Sequence, residues 1–275
     1  MIKKKFAKKS LGQNFLHSVE VRDHILQEAG DICGKNILEI GPGLGFLTTK
    51  LLQKKANVTA VELDRRAATM LREDLAQKKN FLLLEEDILH TTFDTLPFPR
   101  GNNASSDPYA IIANIPYNIT SPLLRKIFSA TTKKPDYALL MVQYEVAKKI
   151  AVDPKDTKKP KHSLLSLSVE IFAESEFLFK VGRENFNPVP KVDSAVIRIT
   201  TRKKQCVSAS MEHDFFNVLH AGFSRKRKKI GNVLGPCLGI PSEVLLGNID
   251  PNRRAETLSV PEWITITQNF QKEKS

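Results

Sequence analysis

The 275-residue sequence predicts an α/β fold with a parallel sheet, followed by a small helical domain. From about residue 25 to residue 143, short apolar runs alternate with amphipathic stretches, as in chains built from βα units. A glycine-rich turn at residues 41–45 follows the first apolar run, where a strand would pass into a helix. From residue 211 to residue 270 the signals are helical and are broken by Gly and Pro.

The individual elements follow from the spacing of apolar residues. Short apolar runs predict strands at residues 36–40, 58–62, 81–85, 110–113 and 137–143. Helix-period spacing between them predicts helices at residues 46–55, 65–77 and 121–129. Two further strands, at 177–181 and 195–200, flank a proline-marked loop, and a composition change after residue 200 divides the chain into domains 1–205 and 206–275.

Charge and composition limit the function classes. Lysine and arginine total 42 and acidic residues total 30, so the formal net charge is 42 − 30 = +12, which favours a polyanionic partner, nucleic acid before membrane. No run of 18 apolar residues occurs, and the N-terminus lacks the apolar segment of a secretory signal. We therefore expect a cytoplasmic protein without a membrane span.

Cysteine and histidine usage gives no sign of a metal site. Cys33, Cys206 and Cys237 show no Cys-x-x-Cys spacing, and the six histidines form no ligand-spaced cluster. This pattern is typical of a reducing compartment and predicts neither a disulfide framework nor a bound metal.

The sharpest local motif is Glu39-Ile40-Gly41-Pro42-Gly43-Leu44-Gly45. Glycines allow positive φ and let a ligand approach the backbone without a Cβ in the way. The spacing is neither Gly-x-Gly-x-x-Gly nor a P-loop. Glu62, at the end of the second strand, can accept hydrogen bonds from ribose hydroxyls, and Asp87, after the third, can accept one from an adenine amino group. The alternatives are a plain turn and ordinary surface acids.

The fourth strand leads into Asn114-Ile115-Pro116-Tyr117. The Asn114 side-chain oxygen and a nearby backbone carbonyl can each accept one hydrogen of a planar amino group, while Pro116 stiffens the turn. Tyr117 offers a ring on which a base can stack. A proline turn with a core tyrosine is the alternative, and the glycine loop with Glu62 disfavours it.

Taken together, the motifs resemble those of the ribosomal RNA adenine dimethyltransferases. The resemblance runs from about residue 9 to residue 263 and includes Leu11-Gly12-Gln13-Asn14-Phe15-Leu16, Asn114-Ile115-Pro116-Tyr117 (with Ile115 for the family's Leu), Phe186-Asn187-Pro188-Val189-Pro190-Lys191-Val192-Asp193-Ser194 and the C-terminal segment 247–258. It implies a Rossmann-like class I S-adenosylmethionine-dependent methyltransferase fold with a small helical C-terminal domain. The implied cofactor-binding residues are Asn14, Leu16, Gly41, Gly43, Glu62, Asp87 and Asn114, and the implied catalytic residues are Asn114, Pro116, Tyr117 and Phe186, with Phe186 closing over the target base.

The resemblance also implies a reaction and a partner. The expected activity is S-adenosylmethionine-dependent N6,N6-dimethylation of two adjacent adenosines in a hairpin loop near the 3′ end of 16S rRNA, by a monomer that needs no metal. Because the target amino group lies inside RNA structure, the base must be flipped out. The alternatives are a large-subunit rRNA methyltransferase of the macrolide-resistance type and a non-catalytic RNA-binding assembly factor.

Two basic clusters could contact RNA. Five lysines, at positions 3, 4, 5, 8 and 9, precede the first motif, and Arg225, Lys226, Arg227, Lys228 and Lys229 are predicted to open a helix in the smaller domain. A run of like charge is most often only a solvated face. The second cluster follows Phe223 in a domain too small to house catalysis, so we expect it to contact RNA phosphates.

Overall fold

The structure is a computed structural model that describes residues 12–99, 107–129, 131–156, 161–225 and 227–274. The chain divides into two compact units, one comprising residues 1–153 and 175–201 and the other residues 154–174 and 202–275. These units differ from the predicted domains 1–205 and 206–275 in the placement of residues 154–174 and 202–205. The N-terminal lysines and Lys226 lie outside the described residues.

Seven of the strands form one mixed sheet and two form a separate pair. The strands are β1 (Phe15–Leu16), β2 (Asn36–Ile40), β3 (Asn57–Glu62), β4 (Phe81–Glu85), β5 (Tyr109–Asn114), β6 (Tyr137–Gln143), β7 (Ala173–Val181), β8 (Phe186–Asn187) and β9 (Ser194–Thr201). The large sheet has the order β4-β3-β2-β5-β6-β9-β7, and β1 pairs with β8. Strands β2 to β6 pair in parallel, and β9 runs antiparallel to β6.

Helices connect the strands of the first unit and build most of the second. The α-helices are α1 (Val19–Glu28), α2 (Thr48–Gln53), α3 (Arg65–Leu75), α4 (Thr120–Phe128), α5 (Tyr144–Ile150), α6 (Leu164–Glu170), α7 (Ala209–Phe223), α8 (Leu234–Leu238), α9 (Ser242–Leu246) and α10 (Val260–Lys274). Among the described residues, no helix combines the length and apolar character needed to cross a bilayer.

The predicted α/β fold is confirmed. The strands at 36–40, 81–85 and 137–143 have the predicted bounds, and the other predicted elements of the first unit differ at their ends. The central strands are almost fully buried, as in a parallel sheet covered on both faces. The sequence did not predict α1, α5, α6 or the β1–β8 pair.

The order of strands fixes where a ligand can bind. From β2 the chain moves outward to β3 and β4, then returns past β2 to β5 on the other side. In open α/β sheets, the crevice beyond the carboxyl ends of the strands at such a reversal is the usual ligand site. The loops after β2, β3, β4 and β5 therefore meet at one edge.

In the second unit, Arg225, Arg227, Lys228 and Lys229 do not open a helix, which corrects the prediction. Helix α7 ends at Phe223, and Arg225 begins a turn in which the Lys228 N–H donates to the Arg225 carbonyl at 3.0 Å. A short 3-10 helix begins only at Ile230. On a helix, Arg225 and Lys229 would lie one turn apart and repel each other, whereas the carboxyl end of α7 favours cations beside it.

Candidate active site

A cavity of about 320 Å³ lies in the first unit at the carboxyl ends of the parallel strands. Its walls are residues 12–16, 39–44, 61–63, 86–88 and 114–119, together with Ile25, Phe46 and Leu47. The volume is within the range of small-molecule sites. The structure thus brings together all the predicted cofactor-binding residues, and also Pro116 and Tyr117.

The glycine loop forms one wall of the cavity. Gly41 and Gly43 have φ of 64° and 57°, a region that residues with a side chain rarely adopt. A Cβ on Gly43 would also lie 2.8 Å from Cε1 of Phe15. The loop therefore needs glycine for its backbone conformation and for the close approach of residues 12–17, which we call the N-terminal strap.

Glu62 ties the glycine loop to the end of β3. It is 5% exposed, its Oε2 accepts the Gly43 N–H at 2.9 Å, and its Oε1 accepts the Asp64 N–H at 2.8 Å. Burial raises the pKa of this carboxyl, and the two backbone hydrogen bonds oppose that rise. Each carboxylate oxygen keeps a further lone pair with which it can accept a hydroxyl hydrogen.

The N-terminal strap lines the cavity and is fixed at several points. Leu16 pairs with Phe186 in the β1–β8 ladder, and Gln13 Nε2 donates to Asp64 Oδ2 at 3.1 Å. Asn114 Nδ2 donates to the backbone carbonyl of Asn14 at 3.2 Å. The strap thereby links the end of β3, where Glu62 and Asp64 lie, to the loop that contains Asn114.

The Asn114 bond also determines which way its amide faces. A carbonyl oxygen only accepts, so the amide group directed at Asn14 must be the nitrogen. The Oδ1 atom is left as the acceptor of this side chain. After Pro116 the chain forms a short 3-10 helix, Tyr117–Ile119, and the Tyr117 hydroxyl lies 2.6 Å from Ser194 Oγ.

Asp87 lies on the cavity wall just beyond β4. It is partly buried, and its Oδ1 accepts the Leu89 N–H at 2.8 Å. Its Oδ2 lies 3.5 Å from His90 Nδ1, a pair that is ionic only when the histidine is protonated. The backbone bond orients the carboxylate within the loop.

Glu39, to which the sequence analysis assigned no role, is buried in the same wall. It is 2% exposed, and its Oε2 has no hydrogen-bond partner among the residues that the structure describes. Burial raises the pKa of this carboxyl to about 8; hydrogen bonding with Thr48 opposes the rise, and the nearby charge of Glu62 adds to it. The sequence did contain a signal for this residue, because Glu39 lies within the apolar run of β2. A carboxyl group is rarely buried in such a strand unless it has a partner or a function.

Two predicted groups lie elsewhere. Phe186 does not line the cavity; its side chain is 1% exposed and packs in the hydrophobic core. Arg225, Arg227, Lys228 and Lys229 belong to the second unit and are exposed. Among the described residues, no group of three or more His, Cys, Asp or Glu side chains could hold a metal ion.

Comparisons with known proteins identify the family of this chain. A model of the family described as "Ribosomal RNA adenine dimethylase" matches residues 4–272. "Ribosomal RNA small subunit methyltransferase A" of Dehalococcoides mccartyi (strain CBDB1) is 39% identical over 262 residues, which cover 94% of this chain and 86% of that protein. The protein of the same name from Enterococcus faecalis is 33% identical, with coverage of 97% and 91%.

Solved structures agree on the fold. A dimethyladenosine transferase from Plasmodium falciparum superposes with a TM-score of 0.76 at 24% identity, covering 94% of this chain and 98% of that one. The 23S rRNA methyltransferase ErmE gives a TM-score of 0.69 at 25% identity, with coverage of 94% and 100%. The predicted Rossmann-like class I methyltransferase fold is thereby confirmed, and the chain belongs to the ribosomal RNA adenine dimethylase family.

Proposed function

We propose that this protein transfers methyl groups from S-adenosylmethionine to N6 of two adjacent adenosines in a hairpin loop near the 3′ end of 16S rRNA, acting as a monomer in the cytoplasm during small-subunit assembly. The observation that carries this proposal is the fixed amide of Asn114 on the wall of a nucleoside-type cavity. The names of the curated relatives support the small subunit as the source of the adenosines.

The cavity residues fit S-adenosylmethionine. Glu62 can accept the ribose hydroxyls, Asp87 the adenine amino group, and the strap residues Asn14 and Leu16 can cover the ligand. The buried, unpartnered carboxyl oxygen of Glu39 fits a ligand that carries positive charge. When bound, S-adenosylmethionine supplies a methyl group on a sulfonium, whose leaving group is a neutral thioether, so no metal is required.

An adenine amine is a poor nucleophile, and hydrogen bonding to Asn114 can make it a better one. The nitrogen lone pair is delocalised into the ring, and hydrogen bonds that the amine donates to Asn114 Oδ1 and to a carbonyl at Ile115 or Pro116 favour a more tetrahedral nitrogen. The lone pair is then directed away from the ring. This is positioning and electrostatic stabilisation, and it needs no general base before transfer. The methylated nitrogen then carries a positive charge and releases one proton to solvent.

Tyr117 provides a surface for the flipped base at the same wall. Burial raises the pKa of its hydroxyl, which therefore stays protonated at neutral pH. A role for Phe186 on the other side of the base would require its buried ring to leave the core. The exposed side chains of Arg225, Arg227, Lys228 and Lys229, together with Lys226, are proposed to contact RNA phosphates.

The test is methyl transfer to ribosomal particles. The protein is incubated with labelled S-adenosylmethionine and, in parallel, with small and large subunits that lack the modification, and the labelled base is mapped. Two dimethyladenosines near the 3′ end of the small-subunit RNA are expected. Label in the large subunit would favour the macrolide-resistance type of enzyme, and no label in either would favour a non-catalytic assembly factor.

A further inference from the structure

The sequence motif that ends at Ser194 contacts the cavity wall through the Ser194 hydroxyl. The Ser194 hydroxyl lies 2.6 Å from the Tyr117 hydroxyl, although the two residues are 77 positions apart in the chain. Ser194 is fully buried, whereas Tyr117 is partly buried and lines the cavity. The hydrogen bond thus joins a rigid interior group to a residue at the cavity wall.

Ser194 is itself held firmly in place. It is the first residue of β9 and lies in antiparallel register with Gln143, the last residue of β6. The carbonyl of the preceding Asp193 accepts the Tyr144 N–H at 3.0 Å. These backbone bonds fix the position of the Ser194 Cα, and complete burial of the side chain limits how far its hydroxyl can move.

The Asp193 side chain adds a further restraint. It accepts the Arg183 N–H at 3.1 Å and pairs with Lys180 Nζ at 2.7 Å. The lysine and the backbone bond lower the pKa of the Asp193 carboxyl, so the pair is ionised at neutral pH. The chain is therefore held in place both before Ser194, at Asp193, and after it, along β9.

A bond to the para hydroxyl controls the whole tyrosine ring. Anchoring this atom prevents rotation about χ1, which would carry the ring toward or away from the cavity. A stacking surface held at a fixed position lets a flipped base settle in the orientation that transfer requires, because small displacements from that orientation reduce the rate steeply.

Building on the proposed function, we propose that Ser194 is a positioning residue that holds the Tyr117 ring as the stacking surface for the target adenine. It acts through Tyr117 and does not touch the base. The role assigned to this serine is independent of which ribosomal subunit supplies the adenine.

The test is a double-mutant cycle with Ser194→Ala, Tyr117→Phe and the double variant, assayed by methyl transfer to the subunit that the wild-type protein modifies. Each single change removes one hydroxyl of the same hydrogen bond, and each is expected to lower kcat by about three- to tenfold with S-adenosylmethionine affinity unchanged. The double variant should lose no more than either single variant.

Ser168→Ala is the matched control. It removes another buried serine hydroxyl, which donates to the Leu164 carbonyl at 2.6 Å within α6. It should leave kcat and cofactor affinity unchanged. If Ser194→Ala does not fold, Tyr117→Phe still deletes the bond while retaining the ring.

The outcomes separate this role from the proposed function. Full kcat in both single variants, losses that add in the double variant, or a matching loss of cofactor affinity would overturn the role of Ser194. If the protein methylates the large subunit and the losses of kcat in the two single variants do not add in the double variant, the small-subunit proposal is overturned and the positioning role of Ser194 is supported. A wild-type protein that methylates neither subunit would overturn both.

Discussion

Replacing Glu39 by glutamine removes one titrating group from the cavity wall and nearly preserves its shape. Burial raises the pKa of the Glu39 carboxyl to about 8, so about 0.9 of the molecules hold it neutral at pH 7 and about 0.1 at pH 9. A bound cation favours the ionised form. When a bound cation holds this carboxyl fully ionised, binding S-adenosylmethionine releases about 0.9 proton at pH 7 and about 0.1 at pH 9.

Isothermal titration calorimetry in phosphate and in Tris measures this release, because the two buffers differ in ionisation enthalpy. Glu39→Gln should abolish most of it at pH 7, whereas Glu86→Gln, at an exposed acid on the same wall, should not. Equal proton release in wild type and Glu39→Gln would refute the reasoning.

The same carboxyl makes the stability of the free protein depend on pH. Its folded-state pKa of about 8 lies above its usual value of 4.5. The stabilising contribution of the neutral form is therefore complete below about pH 4.5 and is lost as the pH rises through about 8. In the absence of ligand, the free energy of unfolding of Glu39→Gln should rise relative to that of wild type between pH 5 and pH 9.

Two other perturbations test the loop and the basic cluster. Gly43→Ala should weaken S-adenosylmethionine binding by about tenfold, because the added Cβ meets Phe15 and a left-handed backbone costs a residue with a side chain about 1–2 kcal/mol. Gly30→Ala is the control, because Gly30 has a φ of 68° and nothing lies within 4 Å of the added Cβ. Equal losses of binding in the two variants would count against the contact with Phe15. Replacing Arg225, Arg227 and Lys228 by alanine should reduce the slope of log affinity for RNA against log salt concentration by about 2. The control, Lys78→Ala combined with Lys79→Ala, should leave the slope unchanged. An unchanged slope in the first variant would mean that these cations do not contact RNA.

The fold could be predicted where a single periodic signal dominated. Strands β4 (Phe81–Glu85) and β6 (Tyr137–Gln143) each consist of an apolar run that ends in a polar residue. Strand β6 lies inside the sheet and is almost fully buried, which requires such a run, whereas β4 is a half-buried edge strand. Helix α3 is strongly amphipathic, with Asp64 as its N-cap. At these elements the local sequence pattern and the tertiary packing favour the same secondary structure, so the sequence alone predicted them.

The remaining features depend on partners distant in the chain. The two-residue strands β1 and β8 have no periodicity of their own and form because Phe15 and Leu16 meet Asn187 and Phe186 across the fold. The bond between Tyr117 and Ser194 and the burial of Glu39 likewise follow from strand register. At residues 225–229, a run of cations was mistaken for a helix start because charge alone carries no periodicity.

The division of labour between cofactor binding and catalysis is tested most directly by Asn114→Ala, with S-adenosylmethionine affinity and methyl transfer measured on one preparation. Loss of the bond to Asn14 should weaken cofactor binding by less than about tenfold, while turnover falls by about a hundredfold or more. Asn36→Ala, at an asparagine outside the cavity whose Nδ2 donates to the Pro108 carbonyl at 3.3 Å, should change neither. Equal losses of affinity and turnover in Asn114→Ala would contradict the account.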